Sequence, residues 1–362
     1  MSKKIALGLS GGVDSSVCVL LLQQAGYDVT GVYLECFNEV GCSADADRSD
    51  AFAIANQLNI PFISLDFKDA YQQKVLDYFY ASYAKGQTPN PDLLCNREIK
   101  FGLFYDWAME NNFDLVATGH YAKVLESTSH HFLTVPKDIR KDQTYFLSLL
   151  SEEKLSRVIF PLADYLKTEV RELAEQNNLT TAQKKDSMGV CFVGKFSLKD
   201  FLSKKIPIQS GKVLNQEGEE IGIHQGAASY TIGQRHGFIV NSQTAESGAL
   251  YVIAKNIENN TIIVGSKEAT ARNELVLKNF NLINSHLKKN LENLSLLVRV
   301  RHTGELMSCS AKFEGEDLIC TLEEAAYGVG DGQFGVLYVN GQSLNLSTDT
   351  CDLICVGAGE VG

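Results

Sequence analysis

The chain has 362 residues, a length that predicts two or three domains and allows a sizeable core. Its hydrophobic fraction of 44% and charged fraction of 21% exclude a wholly disordered chain, and its net charge of −11 excludes nonspecific attraction as the sole basis of nucleic-acid binding. Nine cysteines without regular spacing do not indicate a disulfide framework, and the first apolar run is too short for a signal or membrane segment. We therefore expect a cytoplasmic protein with no membrane partner.

About the first 120 residues alternate between strand-like and helix-like patterns. This alternation is typical of a parallel sheet that is covered by helices on both faces. The predicted strands are 5–9, 29–34, 61–65 and 114–118, and the predicted helices are 13–24 and 43–58.

The pattern changes at about residue 207, where short apolar runs are separated by glycine and asparagine. After residue 273 the side chains alternate as in β-strands, most clearly over 296–301 and 307–313. We predict an α/β domain with a parallel sheet, a small central domain and a C-terminal β-barrel-like domain. The predicted boundaries are 1–206, 207–272 and 273–362.

A glycine-rich loop follows the first predicted strand and opens the first predicted helix. Gly11 and Gly12 permit a positive φ and a close approach of the backbone to a ligand. Hydroxyl groups and the backbone N–H groups of the helix start can hold an anion, although a tight turn without a ligand is the alternative interpretation. The loop is not a Walker A motif, because no Gly-Lys-Ser/Thr follows it. Its string Ser-Gly-Gly-Val-Asp-Ser-Ser is similar to the PP-loop of ATP pyrophosphatases.

That resemblance implies that residues 8–15 hold the phosphates of ATP, and that Asp14 acts through Mg²⁺ or fixes the loop. The predicted phosphate-binding residues are Gly8, Leu9, Ser10, Gly11, Gly12, Val13, Asp14 and Ser15.

Cys95 lies near the start of a predicted helix that runs through Phe101 and Ala108. A helix N-terminus and neighbouring cations favour the thiolate over the thiol. Two prolines place Asp92 just before this helix, where its carboxylate could carry a proton. The alternative is a buried cysteine that packs as a small hydrophobic residue.

Cys191 lies in a basic neighbourhood, since residues 180–205 contain six lysines and two aspartates. Such a neighbourhood favours a thiolate or an anionic partner. A solvated lysine face is the alternative interpretation.

Several long motifs follow one another in order along the chain. They are Pro-Asn-Pro-Asp-x-x-Cys-Asn-x-Glu-Ile-Lys-Phe at 89–101, Ala-Thr-Gly-His-Tyr at 117–121, Lys-Asp-Gln-Thr-Tyr-Phe-Leu at 141–147, Lys-Lys-Asp-Ser-x-Gly-Val-Cys-Phe at 184–192, Gly-Ile-His-Gln-Gly at 222–226 and Thr-Ile-Gly-Gln-Arg at 231–235. Together they resemble the tRNA-specific 2-thiouridylase family over nearly the whole chain.

The resemblance implies an ATP- and Mg²⁺-dependent enzyme that adenylates oxygen 2 of the wobble uridine and replaces it with sulfur, releasing AMP and pyrophosphate. Cys191 would carry a persulfide, and Cys95 would reduce it, either freeing sulfide or closing a transient disulfide. Asp92 would be the acid/base. The implied partners are tRNAs for Lys, Glu and Gln and a persulfide donor, either a sulfur-relay protein or a cysteine desulfurase. We expect a monomer.

The resemblance also assigns further contact residues. Leu34 and Gly119 would touch ATP. The residues expected to touch tRNA are Asn90, Pro91, Asp92, His120, Lys141, Asp142, Gln143, Arg301, His302 and Gln333. The chain departs from the family at His302, where Tyr is common, and at His236, where Lys is usual.

Three alternatives stay open. No residue is assigned as a metal ligand, but an iron–sulfur cluster that uses Cys95, Cys191 and a third cysteine is one alternative. A small-molecule amide synthetase of the same superfamily would not need either cysteine. A nucleotide-binding sensor without catalysis would bind ATP and release no pyrophosphate.

Overall fold

The computed structural model describes residues 2–37, 44–127, 130–185, 198–241, 248–344, 346 and 353–362. The strands are β1 Lys4–Gly8, β2 Asp28–Glu35, β3 Phe62–Asp66, β4 Leu115–Thr118, β5 Lys123–Ser127, β6 His130–Thr134, β7 Val158–Ile159, β8 Gly211–Leu214, β9 Glu220–His224, β10 Phe238–Val240, β11 Tyr251–Asn256, β12 Thr261–Gly265, β13 Ala271–Leu282, β14 Leu296–Arg299, β15 Met307–Glu314, β16 Asp317–Tyr327, β17 Phe334–Asn340 and β18 Leu353–Val361.

Two of the helices contain a π-helical middle part. The helices are α1 Val13–Gln24, α2 Ala44–Gln57, α3 composed of Lys68–Tyr71, Gln72–Leu76 and Asp77–Ala84, α4 composed of Pro91–Leu94, Cys95–Leu103 and Phe104–Glu110, α5 Thr144–Leu147, α6 Glu152–Leu155, α7 Lys167–Gln176 and α8 Leu198–Ser203. Short 3₁₀ turns cover Ile139–Lys141, Ala227–Ser229, Glu268–Thr270, Ser285–Lys289, Leu291–Asn293 and Gly341–Leu344. Within the described ranges, none of the helices has both the length and the apolar character that crossing a membrane requires.

The N-terminal domain is built on a parallel sheet with the strand order β3-β2-β1-β4-β7. Ile5, Ala6 and Leu7 of the central strand are fully buried, as expected for a strand that helices cover on both faces. Each predicted strand ends within one residue of the observed one, and helix 13–24 has the predicted bounds. The prediction of an α/β domain is confirmed.

The central part of the chain forms a second, smaller sheet with the order β10-β9-β8-β12-β11. Its pairs are antiparallel except β8 and β12, which run parallel. A small core of Val213, Val252, Ile262 and Val264 holds it together.

The C-terminal part closes into an antiparallel barrel with the order β13-β16-β15-β14-β17-β18, in which β13 also pairs with β18. Buried aliphatic side chains such as Leu275, Val298 and Leu337 fill its interior. At Gly357, φ is +152° and a Cβ would lie 2.0 Å from the carbonyl oxygen of Asn281, so only glycine permits β18 to come this close to β13. The predicted barrel is confirmed.

One hairpin of the N-terminal region belongs to the barrel sheet and not to the parallel sheet. The strands β5 and β6 form this hairpin, and Leu133 and Thr134 of β6 pair with Cys355 and Ile354 of β18. The hydroxyl of Thr134 also donates to the carbonyl oxygen of Leu353 at 3.0 Å. The N-terminal domain and the barrel are therefore joined by backbone hydrogen bonds as well as by side-chain packing.

Candidate nucleotide and thiol site

The glycine-rich loop connects β1 to α1 and is shaped by its own hydroxyl groups. Ser10 N–H donates to Ser15 Oγ at 3.2 Å, while the hydroxyls of Ser15 and Ser16 donate to the carbonyl of Gly12 at 3.1 and 2.8 Å. Gly11 has a φ of +74°, and a Cβ there would lie 2.2 Å from the carbonyl oxygen of Asp47 on α2. The loop thus needs glycine at this position because α2 packs directly against its backbone.

Asp14, in the first turn of α1, makes contacts that fix the loop. Its carboxylate accepts hydrogen bonds from Lys167 Nζ at 2.6 and 2.8 Å and from the Tyr121 hydroxyl at 3.0 Å. Lys167 begins α7 and is only 13% exposed. Of the two roles predicted for Asp14, these contacts favour fixing the loop over holding Mg²⁺. The sequence contains no local signal for Lys167, because its contact joins positions far apart in the chain.

Lys184 brings the start of the motif at 184–192 onto the same loop. Its ammonium donates to the carbonyl of Gly11 at 3.0 Å and pairs with Asp47 and Asp50 at 2.7 and 2.6 Å. Partial burial opposes its charge, but the hydrogen bonds to the two carboxylates raise the pKa of Lys184 above its ordinary value. Cys191, seven residues further on, lies outside the described residues.

The carboxyl ends of the neighbouring strands β1, β2 and β4 meet around this loop. A Cβ at Gly119, just after β4, would lie 3.0 Å from the backbone nitrogen of Ser15. Leu34 is half-buried near the end of β2. Parallel α/β sheets bind ligands outside the carboxyl ends of their strands, and Gly119 and Leu34 lie at such ends. Their contacts with ATP stay predictions.

Cys95 lies within α4, at the first residue of its π-helical part. Pro91 is the first helical residue, and the side-chain oxygen of Asn90 caps the helix by accepting from the N–H of Asp92 at 3.1 Å. The Cys95 side chain is 5% exposed. The predicted helix is confirmed, and π-helical segments are frequent at functional sites.

All three domains meet immediately before this helix. Thr88 donates its N–H to the carbonyl of Asp331 in the C-terminal domain at 2.8 Å. Its hydroxyl donates to the hydroxyl of Thr231 in the central domain at 3.3 Å. The segment that carries Asn90, Pro91 and Asp92 is therefore held by both smaller domains.

His120 links the sheet edge to the Cys95 helix. Its Nδ1 lies 2.8 Å from the hydroxyl of Thr118 at the end of β4, and its Nε2 lies 3.4 Å from Nζ of Lys100 on α4. Burial, and secondarily the charge of Lys100, holds the pKa of His120 well below its ordinary range, so the imidazole is neutral at pH 7. The contact of His120 with tRNA stays a prediction, since the side chain is buried in the described structure.

Asp142 and Gln143 are adjacent in the chain but take part in different networks. The Asp142 carboxylate is buried, and it accepts from the Thr144 hydroxyl at 2.6 Å and from Arg299 Nη1 of the barrel at 3.0 Å. The Gln143 side-chain oxygen accepts from the N–H of Tyr121 at 2.8 Å, and its own N–H donates to the Tyr121 carbonyl at 2.9 Å. Sequence reasoning missed Arg299 and assigned only its neighbours to tRNA.

The remaining predicted tRNA contacts lie near the junction of the barrel and the N-terminal domain. Arg301 is exposed and donates to the carbonyl of Gly328 at 2.5 Å, and the side chain of Gln333 accepts from the N–H of Gly330 at 3.2 Å. Lys141 is half-buried in a 3₁₀ turn. These positions stay predictions of tRNA contact.

His302, a barrel residue assigned to tRNA, is linked to the Cys95 helix through Phe146. Its ring lies 4.4 Å from the ring of Phe146, whose carbonyl accepts from the Asn96 side chain at 3.0 Å. Burial is the main cause that lowers the pKa of His302. The structure thus brings His302 to within two contacts of the residue that follows Cys95.

Comparison with known proteins places this geometry in a family. Residues 3–195, 199–266 and 272–344 match family models described as tRNA methyl transferase HUP domain, tRNA methyl transferase PRC-barrel domain and aminomethyltransferase beta-barrel domain. The tRNA-specific 2-thiouridylase MnmA 1 of Geobacillus kaustophilus is 39% identical over 346 residues, which are 93% of each chain. The chain belongs to the tRNA-specific 2-thiouridylase family.

A second 2-thiouridylase, MnmA of Lactobacillus gasseri, is 45% identical over 267 residues, which are 72% of this chain and 71% of the relative. Among solved structures, a 4-thiouridine synthetase in complex with RNA and ATP has a TM-score of 0.38 and 19% identity, over 57% of this chain and 50% of that one. The U34-tRNA thiolase NcsA of Methanococcus maripaludis has a TM-score of 0.37 and 22% identity, over 56% and 63% of the two chains. The family predicted from the ordered motifs is confirmed.

Proposed function

We propose that this protein replaces oxygen 2 of the wobble uridine in tRNA with sulfur, with ATP as the activating substrate. One observation carries the proposal. The glycine loop and the Cys95 helix meet at one sheet edge, where Gly119 lies against Ser15 and His120 contacts Lys100 of the Cys95 helix. This arrangement suits a reaction that activates a base with a nucleotide and then delivers sulfur to the same atom.

The first step is the activation of a poor leaving group. Oxygen 2 of the uracil attacks the α-phosphorus of ATP, the bond to the β-phosphate oxygen breaks, and pyrophosphate leaves. The backbone N–H groups of the loop and the start of α1 stabilise the charge on the phosphates. Because Lys167 and Tyr121 already bind Asp14, a Mg²⁺ ion would be held by the phosphates of ATP, where it would neutralise part of their charge.

The second step transfers sulfur from a persulfide on Cys191. In one route the terminal sulfur attacks carbon 2, AMP leaves, and the Cys95 thiolate then attacks Sγ of Cys191. The bond between Sγ of Cys191 and the sulfur on carbon 2 breaks, 2-thiouridine is released, and a Cys95–Cys191 disulfide forms. An external thiol reduces that disulfide for the next turnover. In the other route the Cys95 thiolate first attacks Sγ of Cys191, the disulfide forms and the terminal sulfur leaves as sulfide. The sulfide then attacks carbon 2 and AMP leaves.

The surroundings of Cys95 fit this role in two ways. Asp92 is placed one helical turn before Cys95 by the Asn90 cap, so its carboxylate can exchange a proton on the same face of the helix. Cys95 is only 5% exposed, so the residues that cover it must move before sulfur transfer. The wobble base must also be flipped out of the anticodon stack to reach it.

The partners follow from the same proposal. The tRNA is bound through local patches rather than through overall charge, since the chain carries −11. We propose tRNAs for Lys, Glu and Gln as substrates, a sulfur-relay protein or cysteine desulfurase as persulfide donor, and action as a cytoplasmic monomer.

A thiolation assay with single-cysteine variants tests the proposal. Purified protein is incubated with ATP, Mg²⁺, a persulfide source and a wobble-uridine tRNA, and thiolated tRNA is detected by its retarded migration in a mercury-containing gel. We expect product with the wild type and none with Cys95→Ser or Cys191→Ser. Cys309→Ser, in the barrel, is the matched control and should retain activity.

The same assay separates the alternatives. Pyrophosphate release that depends on ATP but survives in both cysteine variants would favour a small-molecule synthetase. ATP binding without pyrophosphate release would favour a sensor. Unchanged thiolation in both variants would contradict the assignment of the two cysteines.

A further inference from the structure

Three ligand-type side chains from three separate elements converge at the junction between the N-terminal domain and the barrel. His130 begins β6, Glu152 begins α6, and His286 lies in the 3₁₀ turn Ser285–Lys289 that follows β13. One nitrogen or oxygen atom from each of the three lies within 4.8 Å of those from the other two. This cluster, the His130–Glu152–His286 group, is not part of the nucleotide and thiol site described above.

The carboxylate of Glu152 approaches the Nδ1 atoms of both imidazoles. Its Oε1 is 2.7 Å from Nδ1 of His130, and its Oε2 is 3.9 Å from Nδ1 of His286. The two rings lie 3.9 Å apart with an interplanar angle of 30°. Both Nδ1 atoms therefore approach the same carboxylate from neighbouring positions.

From this geometry we infer that the His130–Glu152–His286 group binds a divalent cation of the zinc type and thereby clamps the barrel to the N-terminal domain. Two imidazoles and one carboxylate form a donor set that zinc accepts, with a fourth position for water. Ligand atoms around a tetrahedral zinc are about 3.3 Å apart. The two carboxylate–imidazole distances of 2.7 and 3.9 Å would therefore each change by about 0.6 Å, and the ligand nitrogens of the two imidazoles start within 4.8 Å of each other.

The surroundings allow a cation to enter. The side chains of His130, Glu152 and His286 are 39%, 23% and 37% exposed. A cleft of about 520 Å³ opens beside Glu152, which is the one member of the group that lines it, together with Glu153, His131 and Ser285. A water molecule in this cleft can complete the coordination, and the second carboxylate adds negative charge that favours a cation.

Metal binding by the full-length protein tests the inference without any use of thiolation activity. The protein is stripped with a chelator, kept reduced, and titrated with Zn²⁺ by calorimetry and with Co²⁺ by absorption. We expect one Co²⁺ site with tetrahedral d–d bands and without a thiolate charge-transfer band, because its ligands are nitrogen and oxygen. His286→Gln and Glu152→Gln should each weaken Zn²⁺ binding by roughly tenfold or more.

The matched control is His236→Gln, which removes an exposed histidine of the central domain and leaves the group and its cleft intact. Zn²⁺ should raise the melting temperature of the wild type and of this control, and raise it less in the other two variants. Circular dichroism without metal checks that each variant is folded. Affinity that is unchanged in both His286→Gln and Glu152→Gln, a thiolate charge-transfer band as the sole Co²⁺ signal, or no Zn²⁺ binding by the wild type would each overturn the inference.

Discussion

Two polar networks begin at the adjacent residues Asp142 and Gln143, and they differ in what surrounds them. The Asp142 network is sealed: the carboxylate is 3% exposed, its partner Arg299 is 12% exposed, and the pair joins two domains. The Gln143 network passes through Tyr121 to Asp14 and Lys167, where the Asp14 side chain is 31% exposed beside the nucleotide loop. The comparison indicates that one network supports the architecture and that the other is placed to respond to a ligand.

A substitution in the buried Asp142 network should cause the largest loss of stability. Asp142→Ala leaves the Arg299 guanidinium buried without its carboxylate, and we expect a loss of about 3–5 kcal/mol in the free energy of unfolding. Urea denaturation followed by circular dichroism measures this. Asp164→Ala removes an exposed pair with Lys123 and should cost less than about 1 kcal/mol. Equal losses in the two variants would remove the distinction between the networks.

The Gln143 network, which reaches the partly exposed Asp14, should affect ATP affinity more than stability. Lys167→Met leaves the Asp14 carboxylate without its ammonium partner beside the proposed phosphate site, and a charge-assisted hydrogen bond is worth about 1.5–3 kcal/mol. We expect ATP affinity, measured by calorimetry, to fall roughly tenfold or more. Lys137→Met breaks the exposed pair with Glu169 and serves as the control, with ATP affinity unchanged. Tighter ATP binding by Lys167→Met would contradict the loop-fixing role of Asp14.

The buried imidazole of His120 predicts that the free energy of unfolding depends on pH. Measuring this dependence tests how well water is excluded from this part of the candidate site. The pKa of His120 is lowered in the folded state, so the unfolded state takes up the proton first and stability falls as the pH drops below about 6.5. Between about pH 7.5 and pH 5.5, the wild type should lose about 1.4 kcal/mol more than His120→Gln. His236→Gln, at an exposed position, should lose as much as the wild type. Parallel curves for His120→Gln and the wild type would show that His120 titrates normally.

The smallest effect on ATP affinity is expected for a substitution of Gln143, the residue at which the second network begins. Gln143→Leu removes one hydrogen bond to the Tyr121 backbone, so the hydroxyl that holds Asp14 loses support. We expect ATP affinity to fall about fivefold, in line with one ordinary hydrogen bond. A loss of tRNA affinity in a filter-binding assay with ATP affinity unchanged would show that a contact with tRNA is the more important role of Gln143.

Local patterns predicted most of the fold. Strand–helix alternation predicted the parallel sheet, and the glycine loop was predicted at the junction where it lies, because both depend on residues close together in the chain. The attachment of the hairpin β5–β6 to the barrel was not predictable, since no periodicity encodes a partner strand so far away. Its strands alternate in the same way whichever sheet they join.

The sequence motifs predicted which segments form the candidate site. They did not predict which side chains contact one another there. The motifs place Gly11, Gly119 and Cys95 correctly at the sheet edge or in the adjoining helix. They do not reveal that Lys167 and Lys184 bind the loop, or that Arg299 rather than Arg301 pairs with Asp142, because charged side chains choose partners in three dimensions. The assignment of Cys191 stays a prediction that rests on its motif.

The pairing of β6 with β18 has a consequence for biosynthesis. Thr134 and its partner Leu353 are 219 residues apart, so the outer edge of the hairpin has no strand beside it while the intervening chain is being translated. An unpaired strand edge can join other chains. Ribosome-bound intermediates of this protein should therefore need a holding chaperone at that edge, and substitutions that weaken β18 should appear first as poor yield of soluble protein.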